Sequence, residues 1–156
     1  MSLTAQIAKQ FRAVYSGGNW TGVYLKETLD GVTWQQATTQ VHSFNTIALL
    51  VFHMNYYVGL ATKFLLGQPL DGHDKFSFDC PSIKSHEDWE KLVNKLWTDS
   101  ETLAALIEKL PDSKLEEVFF AEKYGTYYRN LTGIIEHNHY HLGQIVLIKK
   151  LIIEKK

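Results

Sequence analysis

Apolar side chains recur every three or four residues along most of the chain, which is the spacing of one face of an α-helix. The stretches with this pattern are residues 2–16, 43–66, 86–110 and 126–153. Gly17 and Gly18 end the first stretch, and Pro111 ends the third. Ser43 and Ser85 stand at the starts of the second and third stretches, where they are predicted N-caps. The pattern predicts an all-α four-helix bundle.

The connections between these stretches are long enough to cross the bundle rather than to join neighbouring helices directly. Residues 18–40 combine short helical patterns with two tryptophans, Trp20 and Trp34, which we expect to pin this crossover to the core. Residues 67–85 are rich in turn-forming residues and permit a second crossover. Residues 118–120 have an extended pattern and are expected to pair locally or simply to pack.

Composition narrows the class of protein. The chain has 156 residues, so a single bundle domain over 1–156 is expected. Hydrophobic residues make up 45% and charged residues 21%, with a net charge of −1, which argues against disorder and against nucleic-acid binding. The longest apolar run, residues 47–52, is too short to cross a membrane, and the N-terminus has no signal-peptide pattern. A cytoplasmic protein with no membrane partner is expected.

Seven histidines against a single cysteine make imidazole the expected ligand of any soft-metal site. His137 and His141 lie one turn apart on the inner face of the last helix, a geometry that a divalent transition metal accepts. His139 is expected to project outward, and His53 lies alone on the apolar arc of the second long helix. A lone histidine on such an arc is more often a hydrogen-bonded core residue than a ligand, so both readings stay open. The remaining three, His42, His73 and His86, are expected at the surface.

Several neighbours of these histidines have two readings each. Gln144 and Asn138 either orient ligands or are ordinary polar helix residues. Tyr57 follows His53 by one turn and could reach a pocket there, although a tyrosine on a bundle face is usually a core residue. Asn130 shares the inner face of the last helix and is a further pocket candidate. Cys80 has no base near it in the sequence and is not expected to be a nucleophile.

The string HNHYHLGQI at residues 137–145 resembles the H-x-x-x-H-x-G-Q element on the last helix of the DinB-like superfamily, which includes the YfiT-like metal-dependent proteins. The lone histidine of the second long helix and the crossover at residues 20–36 also resemble that family, and the likeness covers essentially the whole chain. It implies a four-helix bundle in which His53, His137 and His141 hold one divalent metal ion. Imidazole suits zinc, nickel, copper and iron, and of these zinc or nickel is expected.

The resemblance further implies a metal-dependent enzyme, either a thiol S-transferase acting with a low-molecular-weight thiol or a hydrolase. The sequence shows no obvious carboxylate near the three histidines, which favours attack by a metal-activated thiol or water over a protein general base. The alternative is a non-catalytic, stress-associated bundle that binds a metal or ligand, and a third reading is a structural bundle whose histidines are core residues. A small-molecule substrate and a homodimer are expected.

Overall fold

The computed structural model describes residues 1–70 and 72–154, which form six α-helices and three short 3₁₀ turns. The helices are α1 (Leu3–Ser16), α2 (Leu25–Leu29), α3 (Trp34–Thr38), α4 (Ile47–Leu65), α5 (His86–Lys109) and α6 (Tyr127–Glu154). The 3₁₀ turns are Asp74–Phe78, Asp112–Glu116 and Glu122–Tyr124. The predicted all-α class is therefore confirmed for the described part of the chain.

The four long helices α1, α4, α5 and α6 form the predicted bundle. Both α1 and α4 pack against α5 and against α6, so the order around the bundle is α1, α5, α4, α6. Helices α1 and α4 therefore occupy opposite corners, although they are consecutive long helices in the chain. The connection between them, which carries α2 and α3, must cross the bundle, as does the connection from α5 to α6.

Apolar side chains from every long helix meet in the interior. Phe11, Met54, Leu103 and Ile145 are fully buried there, one from each of the four. Burial of each such side chain contributes roughly 1.5–3 kcal/mol relative to exposure. Within residues 1–70 and 72–154 we find no helix with the length and hydropathy required to cross a bilayer.

Two predicted helix ends are confirmed. Gly17 follows α1 with a φ of 98°, a conformation that glycine adopts without strain, and its N–H donates to the carbonyl of Ala13. The Ser85 hydroxyl accepts a hydrogen bond from the N–H of Asp88 at the start of α5. Both ends could be predicted because each cap bonds only to the adjacent turn of its helix.

The predicted start of the second long helix is wrong. Ser43 is not its N-cap, because α4 begins at Ile47. The Thr46 hydroxyl instead accepts a hydrogen bond from the N–H of Leu49 in the first turn. The chain turns just before this point, where the Phe44 N–H donates to the carbonyl of Val41. As a result Phe44, which the helical pattern would place in the core, is 51% exposed.

The first crossover is anchored differently from the prediction. Trp20 does not pin it to the core, because its side chain is fully exposed, whereas Trp34 packs against the core as expected. A polar side chain holds the loop in place of Trp20: the amide of Asn19 donates to the carbonyls of Ala13 and Val23. These two bonds tie the loop to the end of α1.

Two later connections position residues next to the long helices. The 3₁₀ turn Asp74–Phe78 packs against α4 and brings Ser77, which is fully buried, to the middle of that helix. Before α6, Val118 forms an isolated antiparallel bridge with Thr126, which is the local pairing that the sequence left open beside simple packing. The hydroxyl of Thr126 accepts a hydrogen bond from the N–H of Arg129 in the first turn of α6.

Candidate metal centre

Three histidine side chains from two helices come together inside the bundle. His53 of α4 and His141 of α6 are 6% and 8% exposed, and His137 of α6 is half-buried. We call these three residues the histidine triad. One nitrogen from each of them lies within 4.8 Å of the other two, so the triad could hold a metal ion. Helix geometry explains the pair on α6, because residues four apart share one face.

The nitrogens that converge are all Nε2. The Nε2 atom of His137 lies 3.1 Å from Nε2 of His53 and 3.1 Å from Nε2 of His141. Two imidazole nitrogens bound to one zinc ion at about 2.0–2.1 Å, with a tetrahedral angle between them, are separated by about 3.3 Å. Two of the three spacings within the triad are therefore close to those around a shared metal ion, and the third, between His53 and His141, is no longer than 4.8 Å.

The outer nitrogen of His53 has a partner that fixes its tautomer. Its Nδ1 lies 3.0 Å from the hydroxyl oxygen of Ser77. That hydroxyl donates its own proton to the carbonyl of Asp74 at 2.6 Å, so towards the ring it can only accept. Nδ1 therefore carries the proton of the neutral ring, and Nε2 presents a lone pair to the triad. Metal-binding histidines are commonly held in this way by a group behind the ring.

The same logic applies to His141. Its Nδ1 lies 2.6 Å from the side-chain oxygen of Gln144, one turn further along α6. An amide oxygen accepts, so Nδ1 of His141 donates and its Nε2 also presents a lone pair. Of the two readings that the sequence left open for Gln144, the structure supports the one in which it orients a ligand. Asn138 instead donates to the hydroxyl of Tyr15 at 2.7 Å and joins α6 to α1.

His137, between the other two, has no arrangement of its proton that satisfies its contacts. A proton on Nε2 can be donated fully to only one of the two facing lone pairs. A proton on Nδ1 leaves three lone pairs facing one another, and that atom is buried without a hydrogen-bond partner in the described part of the chain. Such a cluster is unfavourable without a cation. A divalent ion that accepts all three lone pairs removes the conflict.

Burial keeps the triad neutral, which is the state a metal requires. Desolvation, together with the neighbouring His141 and His53, lowers the pKa of His137 to about 4. Desolvation is also the largest cause that lowers the pKa of His53 and the pKa of His141. At neutral pH all three rings are therefore neutral, and each keeps one nitrogen lone pair available for a metal ion.

One carboxylate that the sequence did not reveal lies beside the triad. The hydroxyl of Tyr57 donates to a carboxylate oxygen of Asp74 at 3.1 Å, and the ring of Tyr57 contacts both His53 and His137. The negative charge of Asp74 also acts on His53, where it opposes the lowering of the pKa. The expectation of no carboxylate near the site is therefore wrong. Only the position of Tyr57, one turn after His53, hinted at this contact.

Other sequence candidates lie away from the triad. The amide of Asn130 donates to the carbonyls of Tyr124 and Thr126 at the start of α6, so it is not a pocket residue. His139 is half-buried instead of projecting into solvent, because its ring folds back to the carbonyl of Ile135. The exposed positions predicted for the other three histidines are confirmed; these are His42, His73 and His86.

Cys80 is half-buried in the connection before α5, and its thiol contacts the carbonyls of Ala48 and Pro81. Burial raises the pKa of the Cys80 thiol, which disfavours the reactive thiolate. This environment agrees with the expectation that the residue is not a nucleophile.

A scan against protein-family models, a search of curated proteins and a search of solved structures each return no match. The resemblance to the DinB-like superfamily therefore stays a prediction, and the case for this site depends on its own geometry.

Proposed function

We propose that this chain is a divalent-metal-binding protein that works as a metal-dependent enzyme. The observation that carries the proposal is the convergence of three Nε2 lone pairs in the histidine triad. Structural zinc sites are usually closed by four protein ligands, whereas catalytic sites use three and leave a position for water or substrate. A set of three neutral imidazoles fits the second type.

The chemistry of the ligands narrows the choice of metal ion. Imidazole suits zinc, nickel, copper and iron, and of these we favour zinc or nickel. When bound, such an ion would lower the pKa of a thiol or a water molecule enough to provide a nucleophile near neutral pH. The protein orients two of the ligands through Ser77 and Gln144, and it buries the rings of His53 and His141.

Transfer of a low-molecular-weight thiol to an electrophile is the reaction class that we favour over hydrolysis. Hydrolysis benefits from a general base beside the water, but the carboxylate of Asp74 is engaged by the hydroxyl of Tyr57. A thiol needs no such base once its pKa is lowered. The homodimer and the cytoplasmic location expected from the sequence remain predictions.

The proposal is tested with protein purified without a histidine tag. Small thiols are mixed with a chromogenic alkyl or aryl electrophile in EDTA and after addition of zinc or nickel. We expect turnover only with metal, and its loss in His141→Ala. The control is His86→Ala, an exposed histidine paired with Glu90 on α5. Bound metal without thiol transfer, and without hydrolysis of a chromogenic ester assayed under the same conditions, would contradict the enzyme and support a non-catalytic binding bundle. Absence of metal binding would contradict the whole proposal.

A further inference from the structure

Each imidazole of the histidine triad has an aromatic side chain against it. The pairs and their ring-centroid distances are Phe78 with His53 at 4.3 Å, Tyr57 with His137 at 5.0 Å and Tyr140 with His141 at 4.9 Å. Phe78 stacks on its partner, and the two tyrosines meet theirs edge-on. We call Tyr57, Phe78 and Tyr140 the aromatic collar.

The collar borders solvent on its outer side. Phe78 is 47% exposed and Tyr140 is 65% exposed, while Tyr57 is half-buried. These rings come from three segments, namely α4, the 3₁₀ turn Asp74–Phe78 and α6. A ligand bound at the three nitrogens would therefore lie close to exposed aromatic surface. Exposed faces of Phe and Tyr gain free energy by packing against another ring in an offset or edge-to-face arrangement.

One edge of the aromatic collar lies next to a carboxylate. The hydroxyl of Tyr57 donates to Asp74, which places a carboxylate at its edge. A negatively charged group on the body of a ligand would meet this carboxylate and be disfavoured. A neutral body has no such cost.

From these contacts we infer the class of ligand that the site takes: a neutral molecule with a metal-binding head, such as a thiol, attached to an aromatic body. This inference depends on the proposed function, because the head needs a metal ion held by the histidine triad. The thiol binds as its thiolate and its proton passes to the buffer, so binding itself requires no redox partner.

The test measures binding by the cobalt-loaded protein, whose visible spectrum reports each new ligand on the ion. Three thiols are titrated separately: benzyl mercaptan, 2-mercaptoethanol and 4-(mercaptomethyl)benzoate. We expect a Kd about tenfold lower for benzyl mercaptan than for 2-mercaptoethanol, which one ring–ring contact with burial of the ring can supply. We expect the carboxylated thiol to bind more weakly than benzyl mercaptan.

Collar variants connect the preference to these residues. Phe78→Ala and Tyr140→Ala should each reduce the ratio between the two neutral thiols, and Phe78→Leu should retain part of it. The matched control is Phe76→Ala, since Phe76 lies on the same turn with 40% exposure but has its ring against His73. Each ratio compares thiols on one protein, so a change in cobalt affinity does not enter it.

The outcomes separate the two proposals. Cobalt binding with equal Kd values for the neutral thiols, or with a preference that survives both alanine variants, overturns the ligand class and leaves the metal site standing. Failure to bind cobalt, zinc or nickel overturns the metal site and the inference that depends on it.

Discussion

Acidification should destabilise the metal-free protein, because the folded state disfavours protonation of the histidine triad. His137 has a pKa lowered to about 4 from 6.5, mainly because its ring is desolvated. Between these two values the unfolded chain binds a proton that the folded chain does not. Stability therefore falls as the pH drops from about 6.5 towards about 4. The lowered pKa values of His53 and His141 add to the loss in the same direction.

The size of the effect follows from the shift. One pKa unit corresponds to 1.36 kcal/mol, so the full shift of His137 would correspond to roughly 3 kcal/mol. Its ring is half-buried, and screening by solvent reduces the contribution, which leaves about 2–3 kcal/mol. That is a large fraction of the 5–15 kcal/mol typical of a folded domain.

Urea denaturation of EDTA-treated protein, followed by tryptophan fluorescence between pH 7 and pH 4.5, measures this loss. The comparison is His137→Leu, which replaces the central imidazole with an apolar side chain of similar size. We expect the free energy of unfolding of the variant to depend less on pH than that of the wild type. In metal-free protein at pH 7 we expect little loss of stability, because Nδ1 of His137 has no partner in the described residues. Parallel pH profiles for the two proteins would refute this reasoning, and a large destabilisation at pH 7 would favour a structural role.

The remaining predictions concern ligand orientation, metal binding and packing. Ser77→Ala and Gln144→Ala should each weaken zinc binding about 10- to 100-fold by competition titration, because each holds the Nδ1 of one ligand; unchanged affinity would contradict the assigned tautomers. Zinc at about 100 times its Kd should stabilise the wild type by about 2.7 kcal/mol in urea, and no shift would argue against binding to the native state. Leu103→Ala should cost about 2–5 kcal/mol in the same assay, whereas Leu147→Ala, at a 63% exposed position, should change stability by less than about 0.5 kcal/mol. Trp20→Ala should also be nearly neutral, and a loss above about 1 kcal/mol would restore its predicted anchoring role.

The long helices could be predicted because their pattern is local. The apolar spacing and the caps at Gly17 and Ser85 depend on residues within one or two turns. The start of α4 could not be predicted in this way, since Ser43 and Thr46 are both good N-caps. The choice between them depends on the turn at residues 41–44, which is part of the tertiary structure.

The candidate site, too, could be predicted only where it depends on local spacing. Spacing alone placed His137 and His141 on one face, but it could not show that His53 meets them from another helix. The contributions of Ser77 and Asp74 come from a connection more than 20 residues after His53 in the chain. No local periodicity reports such a contact, because it exists only once the 3₁₀ turn packs against α4.

The central claim is tested most directly by the amount of metal that the protein binds at equilibrium. Untagged wild-type protein and His137→Leu are dialysed against a low concentration of zinc, and the metal is measured by mass spectrometry. The geometry predicts one zinc ion per wild-type chain and little or none for the variant. Absence of zinc from the wild type, or equal amounts in the two proteins, would contradict a metal centre at the histidine triad.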